Sequence, residues 1–275
     1  MTTSGDFLDF DFAGSVRDLG AGLLVKPLLH NYLFDAKFPA FSLHFEKQDM
    51  ERKPDGWFHP STHPNWSASA LFRYIAYPER FPVERKQYMG TLSVTIGKVM
   101  HEFIQMCLTD AGVMPAEMQV CGMCPPEYGC KEAGFAIEET RDRGHVDGLL
   151  DLSSLGPRVP EAKRFPIFEF KTSHDNFGKL SRIEDDDLDT FIQKWPDYWA
   201  QQQRYQHMSG RRWSVVLLME TMYPWTMREF HVPYDAAWNQ QVDLKYRSVL
   251  HAVETGQEPF CCRQKGCPSA RLCGA

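Results

Sequence analysis

The stretch from Gly144 to Thr172 constrains this chain more than any other. It reads GHVDGLLDL, then a Pro-bearing loop, then FPIFEFKTS. Both halves are short, rich in Val, Ile, Leu and Phe, and bounded by Gly, Pro and Ser, which predicts two β-strands. Alternate residues of an extended chain share a face, so Glu169 and Lys171 point one way while Phe168 and Phe170 point the other. On the earlier strand His145, Asp147 and Leu149 share a face, and pairing of the two strands would bring Asp147 close to Glu169. Two crowded carboxylates repel unless a cation sits between them. Oxygen ligands of this kind select a hard ion, Mg2+ or Mn2+. An Asp followed by Glu-x-Lys, all on strands, therefore suits metal-dependent cleavage of a phosphodiester.

Glu-x-Lys on a strand is also a common solvated, self-pairing face, so its company decides the reading. The chain has 275 residues, enough to bury one substantial core with a small appended domain. At 43% hydrophobic and 24% charged it is globular in composition. Its longest apolar runs, such as Val215 to Met219, fall far short of a membrane span. The acidic start MTTSGDFLDFDF lacks the basic and apolar regions of a secretion signal, so no membrane association and a cytoplasmic location are expected. In a reducing compartment the eight cysteines read as thiols or metal ligands rather than disulfides. A net charge of -6 argues against broad coating of nucleic acid, though not against a local basic groove drawn from Arg80, Arg85, Lys86, Arg211 and Arg212.

Taken in order, a short helix is expected around Leu23 to Phe34, and Lys53-Pro54-Asp55-Gly56 has the chemistry of a turn. Ser67 or Ser69 caps a helix carrying Leu71, Tyr74 and Ile75, which Pro78 ends. Leu92, Ile96, Val99, Phe103 and Cys107 form an amphipathic stripe over about Thr91 to Asp110. His101 lies on that helix, with Gln105 one turn after it and Gly97 one turn before, where a helical glycine marks a close approach by another backbone or a ligand. Cys121, Cys124 and Cys130 then follow as C-x2-C-x5-C in a turn-rich loop, whose first pair resembles a knuckle around a thiophilic ion such as Zn2+. A fourth ligand is expected from elsewhere, with the C-terminus as a candidate source. Phe135 to Glu139 is read as the start of the sheet. The acidic run from Asp175 to Asp189 reads as a mobile solvated loop rather than a metal site. A helix from about Pro196 to Gly210 places Gln201 and Tyr205 on one face. Trp213 to Tyr223 and Arg228 to Tyr234 read as strands, and Asp235 caps a last helix that Gly256 ends. The tail holds Cys261, Cys262, Cys267 and Cys273, a second cluster or the other half of the first; zinc and iron-sulfur both suit thiolates.

The order His101, Asp147, Glu169-Phe170-Lys171, Gln201-x3-Tyr205 resembles the motif series of RecB-like nucleases of the PD-(D/E)XK superfamily. It is most similar to the branch of CRISPR-adaptation exonucleases and their phage-borne relatives. HPST at 59 to 62 and GKVMHEF at 97 to 103 resemble that family's opening segments. The resemblance implies a restriction-endonuclease-like fold: a central mixed sheet flanked by helices, with a cysteine-rich metal-binding insertion at about 119–134 and a cysteine-rich tail at about 260–275. Residues 58–275 would form the nuclease domain and 1–57 an N-terminal extension. It further implies that Asp147, Glu169, the Phe170 carbonyl and His101 bind Mg2+ or Mn2+, that Lys171 positions the attacking water, and that Gln201 and Tyr205 hold the substrate or Lys171. The activity implied is DNA phosphodiester hydrolysis, as an exonuclease on single-stranded ends, in recombination, repair or phage DNA processing. The acidic run would then lie near the DNA path. Members with a 4Fe-4S cluster supply one cysteine before the motif histidine, whereas here none precedes Cys107, and the tail spacing is looser. Two other readings stay open: a DNA-end-binding or CRISPR-adaptation partner on a nuclease scaffold, and a zinc-stabilised interaction protein. A helicase or recombinase partner also stays open.

Overall fold

The computed structural model describes residues 23–29, 54–80, 88–124, 130, 132–173, 180–220 and 226–260. Cys261, Cys262, Cys267, Cys273, Arg85 and Lys86 lie outside the described residues, as does most of the helix expected from Leu23, of which residues 26–29 are helical. The helices are α1 (Ala68–Ala76), α2 (Tyr88–Asp110), α3 (Leu188–Lys194), α4 (Pro196–Ser209) and α5 (Ala236–Thr255). The strands are β1 (Ala133–Ile137), β2 (Asp142–Val146), β3 (Gly148–Leu149), β4 (Ile167–Ser173), β5 (Trp213–Glu220) and β6 (Met227–Pro233).

Strands β3-β4-β5-β6 form a four-stranded sheet in that order. β4 and β5 run parallel, joined through α3 and α4, while the outer pairs are antiparallel, so the sheet is mixed. Its two faces follow from the alternation of β4 and β5. Phe168, Phe170, Val215 and Leu217 pack with Ile104, Cys107 and Leu108 of α2 and with Leu24, Val25 and Leu29. Val216, Leu218, Phe230 and Val232 pack with Phe191 of α3 and with Trp195, Tyr198 and Trp199 around α4. A central mixed sheet flanked by helices on both faces is the architecture expected from the sequence. Among the described residues no helix is long and apolar enough to cross a membrane.

Three local expectations are refined. Ser67, not Ser69, caps α1, its Oγ accepting from the Ala70 amide at 3.3 Å. The stretch read as one strand from Gly144 is two short ones, β2 and β3, which break at Asp147. β1 does not open the central sheet: it pairs antiparallel with β2 in a separate two-stranded ribbon, with Gly134 opposite His145.

The acidic run is corrected more substantially, because its final residues are docked rather than a mobile solvated loop. β6 is an edge strand, so its outward N–H groups need acceptors. Asp185 Oδ1 accepts from the Glu229 amide and Asp186 Oδ1 from the His231 amide, both at 2.8 Å. Asp185 Oδ2 also binds Lys26 Nζ at 2.5 Å, and Asp187 caps α3 through the Thr190 amide. The side chain of Glu229 is buried and accepts the backbone amides of Leu24, Val25 and Lys26, which fastens residues 24–29 to the sheet.

The HPSTHP segment folds around a buried imidazole. His63 packs against Phe58, Trp66 and Tyr74, and its Nδ1 accepts from the His59 amide at 2.6 Å. Burial, aided by the charge of His59, pulls its pKa down to about 3. The unfolded chain binds a proton at this site below the ordinary value of 6.5, where the folded chain still does not. Stability therefore falls as pH drops from about 6.5 toward about 3, by up to about 1.4 kcal/mol per pH unit from this group. Denaturant unfolding of wild type and His63→Asn, whose amide oxygen replaces Nδ1 as acceptor, should show a shallower pH slope in the variant; equal slopes would remove His63 as the cause.

Candidate active site

Asp147 owes its position to the break between β2 and β3. Gly148 pairs with Phe168, and the chain before it diverges into the β1–β2 ribbon. The Asp147 carboxylate takes the place of a ladder partner: its Oδ2 accepts from the Phe170 amide at 2.8 Å. The same oxygen lies 3.2 Å from His101 Nδ1 on α2. Gln105, one turn further along, donates to the Asp147 carbonyl at 2.6 Å. Helix α2 can come this close because Gly97 faces β4, where a Cβ would sit 3.3 Å from Thr172 Oγ1. His101 also meets the edge of the Phe170 ring, the centroids 5.0 Å apart.

From the α4 side, Glu169 and Lys171 share a face of β4, opposite Val216 and Leu218 in the parallel register. Lys171 Nζ is 2.5 Å from Glu169 Oε1 and 5.5 Å from the centroid of the Tyr198 ring. Gln201 Nε2 donates to the same Oε1 at 3.1 Å and to the Tyr205 hydroxyl at 2.9 Å. The Tyr205 ring packs on Gly144, where a Cβ would stand 2.8 Å from Tyr205 Cε1. Direct contacts thus join His101 to Asp147 and, as a second set, Lys171, Glu169, Gln201 and Tyr205; the Phe170 backbone, bonded to Asp147 between Glu169 and Lys171, links the two sets.

The charges do not balance locally. Glu169 is only 2% exposed, and its Oε2 is buried without a hydrogen-bond partner among the described residues. Burial, with the neighbouring Asp147 charge, pushes the Glu169 carboxyl up to about 7 despite Lys171. Burial also pushes on Asp147, but hydrogen bonding and charge from His101, helped by Lys171, outweigh it and hold that carboxyl below its ordinary value. For His101 the loss of solvent is more than offset by Asp147, so the imidazole is held above its ordinary value. An orphaned carboxylate oxygen beside a second carboxylate is a donor set that a hard divalent cation fits.

Four residues of this neighbourhood escaped the sequence reading as site members: Gln105, Tyr198, Glu132 and His145. Glu132 is half-buried, and burial together with the charge of Asp147 pushes its carboxyl above the ordinary value against the pull of His101, Lys171 and Lys98. Among the described residues His145 offers a fourth donor to the central cysteines, for which the sequence offers the C-terminal tail, outside the described residues, as a candidate source. Cys121 Sγ and Cys124 Sγ lie 3.2 and 3.4 Å from His145 Nε2. With Cys130 the four ligand atoms all fall within 4.8 Å of one another. This Cys3His cluster could hold a metal ion such as zinc. The spacing from Cys130 and the Gly before His145 were visible, but only the pairing of β1 with β2 carries His145 to the cysteine loop.

Arg211 donates to the Phe165 carbonyl, Arg212 stacks on Tyr234, and Arg80 stacks on Tyr77.

No protein-family model matches the chain, and no curated protein matches it by sequence. Among solved structures, the crystal structure of SSO0001 is similar over 91% of this chain and 94% of its own, at 12% identity and a TM-score of 0.39. An alkaline exonuclease, LHK-Exo from Laribacter hongkongensis, is similar over 74% of this chain and 91% of its own, at 11% identity and a TM-score of 0.40. The same exonuclease in complex with dAMP gives 12% identity and a TM-score of 0.43 over 74% of this chain and 90% of its own. Likenesses this distant leave the function to be argued from the site.

Proposed function

We propose that this chain is a Mg2+- or Mn2+-dependent deoxyribonuclease of the RecB-like type, cleaving phosphodiesters from single-stranded DNA ends. The reading rests on one observation: Glu169, paired with Lys171 and feeling the charge of Asp147 and its partner His101, keeps a buried oxygen that has no partner among the described residues. Asp147, Glu169, the Phe170 carbonyl and His101 would hold the ion. When bound, it neutralises charge on the phosphate and makes a water molecule more acidic. The residues supply the rest. Lys171 offers its ammonium to the negative charge that grows in the transition state. Gln201 fixes Glu169 Oε1 and is itself fixed by Tyr205, which limits the rotamers open to the carboxylate. Asp147 orients His101 through Nδ1, and Nε2, which has no hydrogen-bond partner among the described residues, is the nitrogen whose preference tilts slightly toward Mn2+. We place this activity in the cytoplasm, in recombination, repair or phage DNA processing.

The test is degradation of 5'- and 3'-labelled single- and double-stranded DNA by wild type and Asp147→Asn, with and without added Mg2+ or Mn2+. Cleavage is expected only from wild type with added metal, and the labels report polarity. Equal cleavage by the variant, or undiminished cleavage without added metal, would overturn the reading.

A further inference from the structure

We propose that Cys121, Cys124, Cys130 and His145 bind one Zn2+ in a closed site, and that this ion clamps the cysteine loop onto β2 and thereby positions Asp147. Zinc bonds of about 2.3 Å to sulfur and about 2.0 Å to nitrogen at tetrahedral angles put sulfur and nitrogen ligands roughly 3.5 Å apart. The observed sulfur-to-nitrogen distances are 3.2 and 3.4 Å. The Cys124 amide donates to Cys121 Sγ at 3.2 Å, the N–H···S contact that a tight C-x2-C turn provides to a thiolate. A four-iron cluster spreads its thiolates more widely than ligand atoms within 4.8 Å of one another allow, so a single ion fits better. Four protein ligands leave no open coordination position, which marks a structural site rather than a catalytic one.

The loop is built to receive this ion. Cys121 bridges Gly134, which pairs with His145. A Cβ on Gly134 would stand 2.8 Å from Cys121 Sγ, 2.9 Å from Met123 Cε and 3.0 Å from His145 Cδ2, so only glycine admits the cluster against β1. The consequence for Asp147 follows from where the loop is fastened. Gln119 accepts from the Leu149 amide at 2.9 Å and donates to the Leu149 carbonyl at 2.8 Å, acting as a strand partner two residues after Asp147. The ion would hold His145, two residues before it. Asp147 is therefore suspended between two attachments to one loop.

The zinc site stands apart from the nuclease reading, whereas the importance of Asp147 rests on it, so the experiment reads zinc and local structure rather than cleavage. Zinc content and the visible absorption of Co2+-substituted protein would be measured on the full chain, on His145→Ala, on His145→Cys, and on a variant with Cys261, Cys262, Cys267 and Cys273 changed to Ser. One Zn2+ per chain is expected in wild type, in the tail variant and in His145→Cys, with tetrahedral thiolate bands in the Co2+ form. His145→Ala should hold zinc at least tenfold more weakly in chelator competition. Hydrogen exchange of the Phe170 amide, bonded to Asp147 Oδ2, should accelerate severalfold in His145→Ala and in zinc-stripped wild type. Absence of zinc and cobalt binding in wild type, or zinc lost from the tail variant but kept by His145→Ala, would overturn the site. Unchanged Phe170 exchange after zinc loss would overturn the positioning. Bound zinc with faster exchange, in a protein that cleaves no DNA, would uphold both and refute only the nuclease reading.

Discussion

Lys171→Ala should retain its fold and lose DNA cleavage by roughly a hundred- to a thousandfold, or about 3–4 kcal/mol of transition-state stabilisation. Its ammonium is the one side-chain cation in contact with Glu169 among the described residues, and it stands on the same strand face two residues away. Raising the Mg2+ or Mn2+ concentration should not rescue the variant, because the lost group acts on the developing phosphate charge rather than on binding of the ion. The flanking residues should give a graded series. Gln201→Ala removes a hydrogen bond to Glu169 Oε1 and should cost about tenfold, since Gln201 acts through the carboxylate. Tyr205→Phe leaves the Gln201–Glu169 contact in place and should cost less still. Single-turnover cleavage of labelled single strands at saturating metal would rank the three. If Lys171→Ala cleaves as fast as wild type, the assignment of this centre as catalytic fails.

Much of this centre could be read before the fold was known, because its residues obey short-range rules. The two-residue period of a strand put Glu169 and Lys171 on one face, and the structure places them 2.5 Å apart. The helical period put Gln201 and Tyr205 together, and they share a hydrogen bond. Gly97 was legible as a point of close approach, and Thr172 is what it approaches. What escaped depends on which strands are neighbours. His145 reaches the cysteines through the β1–β2 ribbon, a pairing that no local pattern reveals, so the sequence alone leaves the fourth ligand to come from elsewhere. Asp185 and Asp186 read as solvated charge because nothing local reveals that β6 is an edge strand with free amides to satisfy. The break at Asp147 was hidden for a related reason: GHVDGLLDL alternates well enough to be one strand, and only the divergence of β2 from β4 splits it.

The largest stability effect belongs to a residue with no assigned chemistry. Arg204 on α4 is fully buried, and its guanidinium binds Asp142 at 2.7 Å, Asp243 at 2.8 Å and the Asn239 side chain at 3.1 Å. Asp142 is equally buried, and burial pushes its carboxyl above the ordinary range with Arg204 pulling against it. Its Oδ1 already has no partner among the described residues. Arg204→Met would strand that carboxylate, and the expected cost is about 3–5 kcal/mol, the usual result of breaking a buried pair from one side. Asp243 suffers less, because it is partly exposed and keeps His207 Nε2 at 2.9 Å. Changing both partners, Arg204→Met with Asp142→Leu, removes the stranded charge and should recover most of the loss. Urea unfolding of the four proteins in a double-mutant cycle decides the matter: a single variant within about 1 kcal/mol of wild type would show that the pair contributes little. A large loss would bear on the active site as well. Arg204 adjoins Tyr205 and lies three residues past Gln201, while Asp142 opens the strand that leads through His145 to Asp147. The buried pair thus joins the helix that steadies Glu169 to the strand that delivers Asp147, so a loss of cleavage in Arg204→Met alongside the loss of stability is the expected result if that salt bridge, which touches neither carboxylate, sets their spacing.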